Sequence, residues 1–271
     1  MNKNFMNRLT MLAVTLMASM ACFAQGKFVT TIGANHATGD EFDYLELKYK
    51  VLDNSKGYTV EIIGFSDSFE ANPNLFDTSE DITHFNTVSI PHFIGTSDNV
   101  AVTTYVQSIA AGALIPTNTN LAAKVTAMTI DYIDNTTTNG DPIIIGENAF
   151  SALTSLATVE SLIPGAKLAA ISDNTFATSV YKNATLTVPN EKMGKYSQVA
   201  GWKNFYKIQN SAGHLLGNMN TDTRLTTADY SALLLLAKSK PTTFDPWADV
   251  NGDGRITTAD CTALLLLVKR K

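Results

Sequence analysis

Residues 218–240, NMNTDTRLTTADYSALLLLAKSK, and residues 249–271, DVNGDGRITTADCTALLLLVKRK, match at 14 of 23 positions when offset by 31. Self-similarity of this kind is one structural unit used twice. It constrains the fold strongly, because a stretch of about 55 residues supplies only a marginal core and needs a second stabilising device. A disulfide framework cannot be that device. Beyond the first 24 residues Cys261 is the only cysteine, which also excludes a cysteine zinc cluster.

The second copy suggests what the device is. Asp249, Asn251, Asp253, Gly254, Arg255, Thr257 and Asp260 fall at positions 1, 3, 5, 6, 7, 9 and 12 of a calcium loop. Short oxygen-bearing side chains at every second residue can curl round one hard cation. Gly254 permits the tight turn, Arg255 would offer its carbonyl, and Asp260 closes the loop one turn into a helix. The first copy carries the same series as Asn218, Asn220, Asp222, Arg224, Thr226 and Asp229, with Asn218 in place of the opening Asp and Thr223 in place of the loop Gly. Two carboxylates instead of three, and a β-branched residue where a positive φ is wanted, predict a weaker first site. Its alternative is an empty relic that only caps a helix.

Neither loop follows a helix as an EF-hand loop would. Only Leu215, Leu216 and Gly217 precede the first, and Pro241 and Pro246 interrupt the chain before the second. Thr226 and Thr257, each with an Asp three residues on, predict N-caps, so each unit reads as loop then helix. Two such calcium units, a linker between them and Asp at position 12 resemble a dockerin domain over residues 217–271, about a fifth of the chain. The resemblance implies Ca2+ in the loops and a cohesin-type protein module as partner. Four consecutive leucines in each helix, Leu233 to Leu236 and Leu264 to Leu267, point in four directions, and two short helices can hide only one broad face each. Leu234, Leu235, Leu265 and Leu266 are therefore the expected partner-binding residues. The alternative is that they pack on the protein's own upstream part.

At the other end, Lys3 and Arg8 precede an uncharged apolar stretch from Leu9 to Ala24, which reads as a secretory signal peptide and predicts a secreted or cell-surface protein. Cleavage near Ala24 is expected, with lipid anchoring at Cys22 as the alternative. No later segment approaches a membrane span. Of 20 Lys and Arg, removal of Lys3 and Arg8 leaves 18 against 25 Asp and Glu, so the mature chain carries -7. Without a basic block, that balance argues against a nucleic-acid partner.

Between these ends lies a weaker repeat: Ile109 to Leu114, Ile145 to Phe150 and Ile171 to Phe176. Each is an Ile, a polar turn, a small residue and a large apolar one, followed by a strand-like alternation at Val125 to Ile130, Leu156 to Leu162 and Ala184 to Val188. An inserted polar loop, 134–141, accounts for the unequal spacing. The words IGENAFSALTSL, ATLTVP and GWKNFYKI resemble the BspA-like leucine-rich repeats of secreted bacterial surface proteins, and the resemblance implies binding of a host or surface protein or a glycan. Trp202, Phe205 and Tyr206 read as a C-terminal cap, with a sugar-stacking platform as the alternative. Upstream, Leu45 to Val51 and Tyr58 to Ile63 predict a β-hairpin, Val88 to Ile90 a strand, and Asp67 to Asp81 an acidic surface loop.

Taken together, these features predict a multidomain α+β chain. It comprises a signal peptide (1–24), a β-rich N-terminal part (25–100), a leucine-rich-repeat solenoid with its cap (101–210) and a small all-α dockerin (211–271). His36, His84, His92 and His214 have no metal-ligand spacing, no nucleophile elbow or phosphate loop occurs, and Cys261 reads as a packed neutral thiol. The expected function is therefore non-catalytic binding, with docking through the dockerin. One alternative is a component of a polysaccharide-degrading complex with hydrolase activity. Another is a purely structural cap.

Overall fold

The computed structural model describes residues 36–55, 58–71, 86–94, 104–132, 142–222 and 224–269. The expected signal peptide, Cys22, His84, the 134–141 loop and Thr223 lie outside them, as does the acidic stretch beyond Ala71. Among the described residues the strands are β1 (Glu41–Tyr44), β2 (Leu47–Asp53), β3 (Tyr58–Phe65), β4 (Thr87–Ile90), β5 (Phe93–Ile94), β6 (Thr104–Ile109), β7 (Ala127–Ile130), β8 (Ile144–Ile145), β9 (Thr158–Ser161), β10 (Thr185–Val188) and β11 (Lys207–Asn210). The helices are α1 (Asp67–Ala71), α2 (Thr119–Lys124), α3 (Thr178–Asn183), α4 (Met193–Tyr196), α5 (Thr227–Ser239) and α6 (Thr258–Lys269).

Period-two alternation builds the first sheet. Leu47, Tyr49 and Val51 of β2 and Val60 and Ile62 of β3 are buried while the residues between them are not. The two strands pair antiparallel, as the hairpin pattern predicts, and β1 pairs antiparallel with β2. β3 then runs parallel to β6, which also carries β5 antiparallel and β8 parallel, so this sheet is mixed.

The second sheet is wholly parallel, in the order β11-β10-β9-β7-β4. Its register lines up Val88, Met128, Val159, Leu186 and Ile208 in one buried row. In the next inward row, Ile90, Ile130, Ser161, Val188 and Asn210, polar residues enter towards the C-terminal side. The Asn210 carboxamide oxygen accepts the N–H groups of Ala212 (3.0 Å) and His214 (2.9 Å), which bends the chain back. Leu215 then bridges antiparallel to Gln209 on the outer side of β11, and the Leu216 N–H donates to Ile208 O at 2.8 Å. Beside the sheet, the two repeat phenylalanines Phe150 and Phe176 bridge in parallel with ring centroids 4.9 Å apart, and Phe176 meets Phe205 edge-on at 5.2 Å. Trp202 is 1% exposed and its indole N–H donates to Ala169 O at 3.0 Å, so it is a core residue and presents no stacking platform.

This architecture corrects the expectation of a multidomain α+β chain made of a leucine-rich-repeat solenoid followed by an all-α dockerin. The fold is mixed α/β, with two sheets. A solenoid propagates one unit of constant shape, each touching only its neighbours. Here residues 41–65 form an antiparallel meander, and the strands of the parallel sheet are joined by connections of unequal length and content. The last residues form no separate all-α domain either. Leu216, Val250 and Leu264 belong to the same buried apolar cluster as Met193, Trp202 and Ile208. The physical reason is size: two short helices leave more apolar surface than they can cover, and the sheet body covers part of it. Among the described residues no helix is long and apolar enough to cross a membrane.

Candidate metal centre

The two duplicated loops are held by the hydrogen bonds of their own side chains. In the second, the Asp249 carboxylate accepts from the N–H groups of Asp253 (3.1 Å) and Gly254 (2.9 Å). Asn251 Oδ1 accepts from Asp253 N (3.0 Å), and Asp253 Oδ1 from Arg255 N (2.8 Å). These Asx turns curl the backbone one residue pair at a time. The first loop repeats the pattern through Asn220 Oδ1 and Asp222 N (3.1 Å), and Asp222 Oδ1 and Arg224 N (2.7 Å).

Each loop ends on a helix N-cap. Thr226 Oγ1 accepts from Ala228 N at 3.2 Å, and Thr257 Oγ1 from Ala259 N at 3.1 Å. Asp229, three residues further on, completes a capping box in the first copy, Asp260 likewise accepts the Thr257 N–H in the second, and both are 0% exposed. The opening residues are also buried, Asn218 at 8% and Asp249 at 6% exposure, whereas Asn220, Asp222, Arg224, Asp253 and Arg255 are exposed.

Carboxylates outnumber the single arginine of each loop, Arg224 or Arg255. Among the described residues no lysine, arginine or histidine forms an ion pair with Asp222, Asp229, Asp249, Asp253 or Asp260. Burial pushes the Asp249 carboxyl above the usual carboxylate range, the charges of Asp260 and Asp253 add to this, and the N–H groups of Gly254 and Asp253 oppose it. In the first loop the Asn218 side-chain N–H donates to Asp222 O, while its Oδ1 is buried with no hydrogen-bond partner among the described residues. An orphaned acceptor in a loop of oxygen ligands fits a hard cation. Among the described residues no three His, Cys, Asp or Glu side chains converge as a ready-made cage. The remaining donors of the predicted set are amide, hydroxyl and carbonyl oxygens, which suit calcium.

Both loops contain a left-handed residue that the ligand pattern does not single out. Position 4 is Gly252 (φ +69°) in the second loop and Thr221 (φ +60°) in the first. Gly254 also has a positive φ, as its turn requires. The four-leucine runs are divided by their helices: Leu233 and Leu264 are fully buried, Leu234 and Leu265 half-buried, and Leu235 and Leu266 exposed at 71% and 55%. Of the four leucines predicted to meet a partner, the outer pair presents its surface fully and the inner pair partly. Cys261 is a buried free thiol, raised above its ordinary pKa by burial and by the Asp260 charge.

In comparisons with family models, with curated proteins and with solved structures, nothing matches the chain.

Proposed function

We propose that the chain is a secreted, non-catalytic binding protein whose duplicated loops take calcium and whose paired helices dock onto a cohesin-type protein module, while the two-sheet body contacts a protein or a glycan. The observation that carries this reading is the recurrence, in both loops, of a fully buried carboxylate that forms no ion pair among the described residues, Asp229 in one and Asp260 in the other. The unpartnered Asn218 Oδ1 supports it.

Calcium, when bound, supplies positive charge to loop carboxylates that form no ion pair among the described residues. Asp249, Asn251, Asp253, Thr257, Asp260 and the Arg255 carbonyl would hold it in the second loop; Asn218, Asn220, Asp222, Thr226, Asp229 and the Arg224 carbonyl would do so in the first. Three carboxylates against two, with Gly252 against Thr221 at the left-handed position, make the second loop the tighter site. The chain's own part is to fix the helix starts through Thr226 and Thr257, and so to set Leu235 and Leu266 as paired apolar knobs on the surface.

The reading is tested by capture of cohesin-type modules on the immobilised full-length mature chain, in millimolar calcium and in excess chelator. Capture that needs calcium is expected. Equal capture in both buffers, or none in either, overturns it, as does glycan release by the purified chain that is lost with a single carboxylate of the sheet body.

A further inference from the structure

The second loop packs on the sheet body backbone to backbone, whereas the first adjoins its edge across an open cavity that Asn218, Thr221 and Asp222 line with Thr185, Lys207 and Gln209. Helix α4 lies against residues 249–252 with backbone touching backbone: a Cβ on Gly194 would collide with Asp249 O and lie 2.6 Å from Gly252 N, and a Cβ on Gly252 would lie 2.6 Å from Gly194 C and from Lys195 N. Only two glycines permit that approach. The buried Ser197 hydroxyl, just past α4, lies 2.8 Å from Gly194 O and 2.7 Å from Val250 O. On its other side α4 is tied into the parallel sheet, where the buried Tyr196 hydroxyl bonds Ser161 Oγ of β9 and Ile163 O, both at 2.7 Å. A second strut runs from β11. The Gly217 N–H, directly after Leu216, donates to Trp247 O at 2.7 Å, and a Cβ on Gly217 would lie 2.5 Å from a Leu264 methyl. By contrast Asn220 and Thr221, the counterparts of half-buried Asn251 and Gly252, are exposed.

From this we infer that the second loop is the clasp of the parallel sheet: cation binding at residues 249–260 is transmitted through Gly194 and Ser197 to α4, and so controls how firmly β10 and β11 are held. The inference rests on the reading that this loop takes calcium. A ligand that binds only the closed form lowers the open population by the factor 1 + [L]/Kd. If the loop and the sheet edge open together, the strands feel that whole factor; if they open separately, they feel none of it.

The experiment is hydrogen exchange on the full-length mature chain with and without calcium, beside calorimetric titration of calcium alone. At calcium about a hundred times Kd, amides of β10 and β11 are expected to exchange about a hundredfold more slowly. Asp253→Ala should abolish that gain, while Asp222→Ala, at an exposed position of the first loop, should keep most of it. Ser197→Ala should still take up calcium, with the heat of the second site present and the protection of β10 and β11 reduced. Calcium uptake with unchanged exchange in these strands overturns the clasp and leaves the calcium reading standing. Equal effects of Asp222→Ala and Asp253→Ala also overturn it. Absence of any heat of binding overturns both.

Discussion

Asp229 and Asp260, one repeat apart, make the same hydrogen bonds. One carboxylate oxygen of each accepts the loop N–H of the residue nine before it, Asn220 (3.3 Å) or Asn251 (3.1 Å), and the other accepts the N–H of the N-cap threonine, Thr226 (2.8 Å) or Thr257 (2.7 Å). The first copy adds Met219 N at 2.9 Å. Each aspartate thus knots a loop to the start of its helix, whatever else it binds.

Replacing either by Ala strands two or more partly buried N–H groups, and each substitution should destabilise the chain by about 2 kcal/mol even in chelator. Thermal unfolding in chelator checks this. In calcium the deficit of Asp260→Ala should widen more than that of Asp229→Ala, because it also removes a ligand of the tighter site.

Thr221 holds a left-handed backbone that a β-branched side chain resists, and its side chain is exposed. Thr221→Gly should therefore stabilise the chain by about 1 kcal/mol and tighten calcium uptake at the weaker site, read by unfolding and calorimetry. The reverse change in the second loop, Gly252→Thr, meets α4 and should cost much more than Gly254→Ala, whose added Cβ has nothing within 4 Å.

The leucine runs separate stability from docking. Leu233→Ala and Leu264→Ala empty fully buried positions and should each cost about 2–5 kcal/mol. Leu235→Asp and Leu266→Asp, at exposed positions, should change stability by no more than about 0.5 kcal/mol and abolish calcium-dependent capture of a cohesin-type module. Undiminished capture by the double variant would remove these leucines from the docking surface.

Glu46, next to the first sheet, gives a pH signature. Burial pushes its carboxyl above the ordinary value of 4.5, opposed by a backbone hydrogen bond. Its folded pKa therefore exceeds its unfolded one, and its contribution to stability is present below the unfolded value and lost as pH rises through the folded value. Glu46→Gln should melt higher than the parent at neutral pH, and the difference should shrink as pH falls through the raised folded value towards 4.5 and vanish below it. A difference constant across that range would point to packing instead of charge.

Local features of this fold were legible wherever chemistry repeats at short range. The alternations at Val125 to Ile130 and Ala184 to Val188 contain β7 and β10, and the Ile-to-Phe words place Phe150 beside Phe176. The loop residues can be read singly because each side chain closes a turn two residues away, as Asn251 does with Asp253. What periodicity could not convey is which distant backbones touch. Gly252 resembles loop punctuation until Gly194 is found against it, and the only hint was that the first copy has Thr at the same station. The sheet arrangement was misjudged for the same reason. Short strands of similar spacing specify pairing partners only through long-range packing, and neither the mixed first sheet nor the merging of the C-terminal helices with the body has a local signature.

The turn at Asn210 has a bearing on how molecules of this protein avoid one another. A parallel ladder ends in a row of unsatisfied amides and carbonyls, a template on which another copy could add strand after strand into a fibre. By folding Leu215 and Leu216 over β11, the polypeptide occupies part of that template with itself. Opening this short return would unmask the seam, so substitutions that free Asn210 from Ala212 and His214 are where polymerisation would begin.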